Sequence, residues 1–222
     1  MGFSVVQPGQ GHKLGPHTMN CSLVMGRDCG PQAVHCINQC YAVKAFKAYP
    51  SVRKSWTGSS QLLRSDPDAY FAAIDTAVGR VQPNLFRIHV SGDFISDDHF
   101  QRWANLCGKH RETNFLAFTK SFSYLPDSLD GYPVNFEIVL SLFPTMVGSP
   151  EDIPDRLLLI SAHGQCVPGQ YAIAYAGERE EYIGSRYEMD AMASIDCPNA
   201  CDTCGICWAL TDQQLSVNFP IH

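Results

Sequence analysis

The sequence predicts one α/β domain over residues 1–222, laid out as a partial, open parallel β/α barrel with cysteine-rich N- and C-terminal segments. Three observations predict it. Apolar runs repeatedly end in Ser, Thr, Asp, Lys or His, as happens where a parallel sheet gathers ligand groups at the carboxyl ends of its strands. Amphipathic helix patterns precede at least the first two runs. The runs number about five or six, too few for a closed eight-stranded barrel of ~250 residues. An open doubly wound sheet is the alternative, and periodicity alone does not separate the two. No repeat, low-complexity tract or Gly/Pro/Ser-rich linker divides the chain.

Residues 1–40 show little periodicity and many Gly, Pro, Asn and His, so they read as irregular backbone ordered by a metal rather than by a core. A helix is expected from about Tyr41 to Trp56, broken near Pro50. It carries Lys44, Lys47, Arg53 and Lys54, either a solvated basic face or a dock for an acidic redox partner or anionic ligand. Ser65 is read as the cap of a second helix, with Pro67 early in it and acids in its first turn, running through Tyr70 to Val78. Leu85–Val90 is a β-rich run ending in Ser91-Gly92-Asp93. Ser96 caps a further helix whose Phe100, Trp103, Ala104 and Cys107 fall on one face. Further runs are Asn114–Phe118, ending in Thr119-Lys120-Ser121, then Asn135–Leu140, Leu157–Ile160 before Ser161 and His163, and Tyr171–Ala176.

Composition narrows the function. Ten cysteines in 222 residues is below the density of a disulfide scaffold. The start Met1-Gly-Phe-Ser-Val-Val lacks a basic and apolar leader, and no run reaches membrane-spanning length, so a reducing cytoplasm and no membrane are expected. A net charge of -6 and a pI near 5.7 weigh against nucleic acid as partner, leaving a small-molecule ligand or a redox partner protein. Oligomeric state is not legible.

The chemistry is carried by cysteine. Cys197, Cys201, Cys204 and Cys207 place four thiols within eleven residues, and thiolates at that density call for a cation. Four thiolates suit zinc or an iron-sulfur cluster. Zinc ribbons split their ligands into distant pairs, whereas this run is continuous, so a cluster, [4Fe-4S] above all, is the preferred cofactor and zinc the alternative. A second group is Cys29, Cys36 and Cys40, with Cys21 upstream. Cys36-x3-Cys40 matches the first two cysteines of the radical-SAM signature Cys-x3-Cys-x2-Cys, with Val43 in the third place. That resemblance implies a cluster with one open iron for S-adenosylmethionine, its third thiolate coming from Cys29 or from a C-terminal cysteine.

Alternation along a strand would put Arg87, His89, Ser91 and Asp93 on one face and Ile88 and Val90 on the other. Such a face needs partners: an internal Arg-Asp or His-Asp pair, or a bound small molecule with Ser91 and Asp93 against it and Gly92 permitting close approach. Ser91-Gly92-Asp93 loosely resembles the Gly-Gly-Glu-like turn that radical-SAM enzymes present to adenosylmethionine. Lys120 is read as a pocket or surface lysine. His35 and His163 are read as hydrogen-bonded neighbours before metal ligands, Cys107 as a core residue, Cys21 and Cys166 as loop or core thiols, and Trp208 as packing over a site.

Taken in order, His12-Lys13-Leu14-Gly15, Cys29-Gly30, Cys36-x3-Cys40-Tyr41-Ala42, Arg87 to Phe94, Phe118-Thr119-Lys120-Ser121 and Cys204-Gly205-x-Cys207-Trp208 resemble the gene product 88 family of bacteriophages. The resemblance implies a phage-encoded protein of the infected bacterial cytoplasm on a radical-SAM-like fold. It implies no particular reaction.

Overall fold

A computed structural model describes residues 2–9, 14–15, 18–146, 171–177, 181, 194–198, 204–210 and 216–219. Eight strands form one sheet: β1 (Val6–Pro8), β2 (Thr18–Cys21), β3 (Leu85–Ile88), β4 (Asn114–Thr119), β5 (Phe136–Leu142), β6 (Ala172–Ala176), β7 (Ser194–Asp196) and β8 (Ser216–Phe219). The order is β1-β2-β3-β4-β5-β6-β8-β7, and only β1 runs antiparallel to its neighbour. The sheet is mixed and does not close.

Consecutive strands lie side by side from β1 to β6, without the reversal that marks a doubly wound sheet. The carboxyl ends of β2 to β6 therefore share one edge. Among the described residues β3 to β6 match expected runs, while β1, β2, β7 and β8, three or four residues long, are additional strands not expected from the sequence. Two of these lie within the stretch read as irregular. The run Leu157–Ile160, with Ser161, His163 and Cys166, falls outside the described residues.

Among the described residues four α-helices connect the strands: α1 (Tyr41–Ala48), α2 (Pro50–Ser65), α3 (Pro67–Val81) and α4 (Asp97–Lys109). The expected break near Pro50 is real. Tyr49 is extended there (φ -116, ψ 106) and Pro50 begins the next helix, where a missing N–H costs nothing. The cap of α3 is Asp66 rather than Ser65: its carboxylate accepts from Ala69 N at 2.9 Å, while Ser65 closes the preceding helix. Ser96 caps α4 as expected, accepting from His99 N at 3.1 Å.

The two faces of the sheet are covered differently. On one, Phe86, Ile88, Phe115, Phe136, Ile138 and Leu140 pack against Tyr70, Phe71, Ile74 and Val78 of α3 and Phe100, Trp103 and Cys107 of α4. Cys107 is a core residue there, wholly buried. On the other face Leu116, Val139, Ala172, Ala174 and Val217 pack against Cys207 and Leu210, with Cys197, Ile206 and Trp208 at the margin. Alternation explains the split, since side chains of successive strand residues point to opposite faces.

Candidate functional site

The segment from Ser22 to Cys40 lies across the shared carboxyl edge, and backbone contacts fix it there. Leu23 N donates to Ser91 O at 2.8 Å and Asp93 N donates to Asp28 O at 2.7 Å. Gly92 adopts φ +83, and a Cβ on it would lie 2.6 Å from Leu23 Cβ and 3.1 Å from Asp28 O. The close approach that Gly92 permits is thus made by the protein's own loop. Gly30 does the same against β4, because a Cβ there would strike Ser121. Further along, the short turn Pro31–His35 reaches the segment that follows β5, where His35 Nδ1 pairs with Thr145 Oγ1 at 2.9 Å. His35 is a hydrogen-bonded neighbour, as its sequence context suggests.

Asp28 clamps this loop from behind. Its side chain is fully buried, Arg64 of α2 binds Oδ1 through Nε at 2.8 Å and through Nη2, and Arg27 binds Oδ2 at 3.2 Å. Burial alone would raise the carboxyl pKa, but bonds from Ser60, Arg64 and Arg27 outweigh it and hold it below the usual range.

The Arg87–Asp93 segment differs from a simple strand. β3 stops at Ile88 and His89 takes φ +49, an uncommon conformation for a residue with a Cβ. That turn breaks the alternation, so Arg87 and His89 do not share a face. The Arg87 guanidinium lies 3.9 Å from the Phe118 ring centroid, whereas His89 is buried against Phe94, His99 and Trp103. Among the described residues neither nitrogen of His89 has a hydrogen-bond partner, and burial, then His99 and Arg87, push its pKa well down. No Arg-Asp or His-Asp pair forms in this segment among the described residues.

Asp93 turns inward. Its Oδ1 accepts from Thr119 Oγ1 at 2.6 Å and Phe94 N at 2.8 Å, and Oδ2 accepts from Lys120 N at 2.8 Å, joining the ends of β3 and β4. Burial raises its pKa against the lowering pull of Lys120 and these bonds. Ser91 is buried nearby, its hydroxyl without a partner among the described residues. The Lys120 ammonium stands 5.2 Å from the Phe143 ring centroid.

Cys29 and Cys36 feel the charges of this group. Gly26 N donates to Cys29 Sγ at 3.3 Å, and Cys36 Sγ donates to Ala33 O at 3.5 Å. Burial pushes the Cys29 thiol up to about 11, with Gly26 N opposing, Asp93 and Cys36 adding to the rise, and Lys120 opposing again. Cys36 is also raised by burial, with Lys120 the leading opposing influence and Cys40 and Asp93 reinforcing the rise. The two thiols, the carboxylate and the ammonium therefore form one electrostatic group. Cys40 sits at the N-cap of α1 and is half-buried.

The C-terminal thiols lie elsewhere on the sheet. Cys197, Cys204 and Cys207 border a small apolar hollow with Ile195, Ile206, Trp208 and Val217. The turn Ile206–Trp208 rests on β4, and Trp208 packs beside the thiols as its sequence position suggests. Cys201 is outside the described residues. Among the described residues no cysteine forms a disulfide. Among the described residues, no three His, Cys, Asp or Glu side chains are gathered closely enough to hold a single metal ion.

An open, mostly parallel α/β sheet bearing a thiol-rich loop on its carboxyl edge is the class of protein these features define. The chain belongs to the gene product 88 family, whose sequence model matches residues 6–210. It is similar to the Gene 88 protein of Mycobacterium phage D29, at 25% identity over 201 aligned positions, with 68% of this chain and 82% of that protein covered. No solved structure matches the chain. Among the described residues no helix is long and apolar enough to cross a membrane.

Sequence reasoning missed Asp28 and Arg64, and it named Gly30 and Thr119 without the contacts they make. Their roles depend on contacts between distant segments, and the one local signal was an acid flanked by Arg27 and Cys29 in an otherwise acid-free stretch.

Proposed function

We propose that this chain is an iron-sulfur protein of the phage-infected cytoplasm, its sheet equivalent to part of a radical-SAM-like barrel. Cys29, Cys36 and Cys40 would hold a [4Fe-4S] cluster. Cys197, Cys201, Cys204 and Cys207 would hold a second centre or complete the first. The observation that supports the reading is the seating of the loop that carries Cys29 and Cys36 on the ends of β3 and β4, through Asp28 O on Asp93 N and Gly30 against Ser121, where the Lys120 charge favours both thiolates. Three half-buried free thiols with a cation at hand fit a thiolate-ligated cluster, whose ligands stand further apart than those around one ion.

When bound, such a cluster supplies one-electron transfer, and an iron without a protein ligand supplies a place for adenosylmethionine. Lys120 offsets thiolate charge, while Asp93 fixes the backbone at Lys120. A non-catalytic electron carrier is the second reading, favoured by the Asp93 carboxylate being engaged by Phe94, Thr119 and Lys120 rather than presented to a ligand amine.

Anaerobic purification followed by iron and acid-labile sulfide assay tests the proposal. Brown protein containing both is expected, with iron lost in Cys36→Ser. Colourless protein without iron or sulfide overturns it, and stoichiometric zinc under iron-replete conditions would replace it with a structural zinc site. Calorimetry with adenosylmethionine and a search for 5'-deoxyadenosine after reduction separate enzyme from carrier.

A further inference from the structure

We propose that the exposed face of α1 and the first turn of α2 binds single-stranded nucleic acid. Between Cys29 and Ser65 the chain contains no Asp or Glu, although the whole carries a net charge of -6. The fold turns that gap into a surface. Lys44, Lys47, Arg53 and Lys54 are all exposed, and among the described residues none is within ion-pair distance of a carboxylate. Whole-chain charge, which weighs against nucleic acid, averages this patch away.

Two aromatic rings stand among the cations. Tyr41 is 56% exposed and Tyr49 60%. The Tyr41 hydroxyl donates to Val90 O, which tethers its ring to the end of β3, and Tyr49 occupies the break between the two helices. The Phe46 and Trp56 rings, 6.0 Å apart, lock α1 to α2 beneath them. Exposed rings interleaved with cations that have no carboxylate partner among the described residues match what unpaired bases and phosphates require. Lysine at three of the four positions weighs against a protein partner, because lysine is depleted at protein interfaces, while an ammonium still binds phosphate as a point charge. Duplex DNA hides its base faces, so single strands are the better fit.

This inference does not rest on the cluster, and the test uses the full chain as purified. Fluorescence anisotropy with a labelled 20-nucleotide oligo(dT), an oligo(U) and a 20-base-pair duplex should show single strands bound more tightly than duplex. Each phosphate contact should contribute about 0.7 to the single-strand salt slope. K44E/K47E should weaken binding at least about tenfold and flatten that slope by about two contacts. Y49A should weaken it about five- to tenfold at unchanged slope, as loss of one stacked base predicts. Unchanged melting temperatures confirm that the surface variants fold, with K44Q/K47Q as a milder substitute. Absence of single-strand binding at low salt, or indifference to these substitutions, overturns the proposal. So does polyglutamate competing as well as oligo(dT) with Tyr49 irrelevant, which would assign the patch to acidic proteins instead.

Discussion

The Asp93 carboxylate and the Thr119 hydroxyl meet at 2.6 Å, tying the residue that follows the β3 turn to the last residue of β4. The same carboxylate collects two backbone amides, so one side chain sets the spacing of two strand ends under the cysteine loop. Thr119→Val should cost about 1–2 kcal/mol, the usual effect of removing one partner from a buried charged acceptor. Asp93→Ala should cost more, about 3 kcal/mol or above, because two amides and a hydroxyl lose their acceptor. A double-mutant cycle by urea denaturation should give clear coupling between them; additive effects would break the assignment.

Gly30→Ala should destabilise through its collision with Ser121, and Ser121→Gly should recover part of that loss by removing the struck atoms. Recovery is incomplete because Ser121 Oγ also donates to Phe94 O at 2.8 Å. Gly92→Ala has no such rescue, since both its φ of +83 and the Leu23 contact oppose a side chain. A loss of about 1–3 kcal/mol is expected from strain alone. Thermal melts of the two single variants and the double variant check the pattern.

Burial holds His99 at about 3 and pushes His89 well below its ordinary value near 6.5. A folded pKa below the unfolded one means that the unfolded chain takes up protons first. Stability is therefore full above about pH 6.5 and falls with acidification towards pH 3, by up to about 1.4 kcal/mol per pH unit for each histidine. His89→Asn tolerates the left-handed backbone and should reduce that slope by one histidine's share. Urea midpoints at pH 7, 6 and 5 measure it; equal slopes in both proteins would contradict the burial of a neutral His89.

Lys120→Met should slow alkylation of Cys36 by iodoacetamide at fixed pH, because Lys120 is the leading influence that favours its thiolate. Cys107, buried and far up in pKa, should stay inert in both proteins. Mass-spectrometric labelling rates read both outcomes, and an unchanged Cys36 rate would show that the ammonium does not face it.

Much of the helical framework is readable from local signals. Ser96 as a cap, the buried stripe Phe100, Trp103, Ala104, Cys107 and the break at Pro50 follow from residue chemistry within one or two turns. The cores of β3, β4, β5 and β6 are readable as apolar runs for the same reason. The face assignment of His89 is not, because its φ is set by the packing of Phe94, His99 and Trp103 around it, none of which alters the alternating pattern of the strand. Asp93 was visible as a polar group at a strand end, but its inward orientation depends on the Thr119 hydroxyl from the neighbouring strand. The cysteine loop was identified by composition, whereas its attachment through Asp28, Arg64 and two glycines exists only in three dimensions.

The contact of Gly30 with Ser121 and of Gly92 with Leu23 leaves no room for even a methyl group on either glycine. A consequence follows for engineering. Transplanting residues 22–40 onto another parallel scaffold would fail unless the recipient also received the strand-end partners that were shaped to them, so the loop and the edge beneath it can be exchanged between proteins only as one cassette.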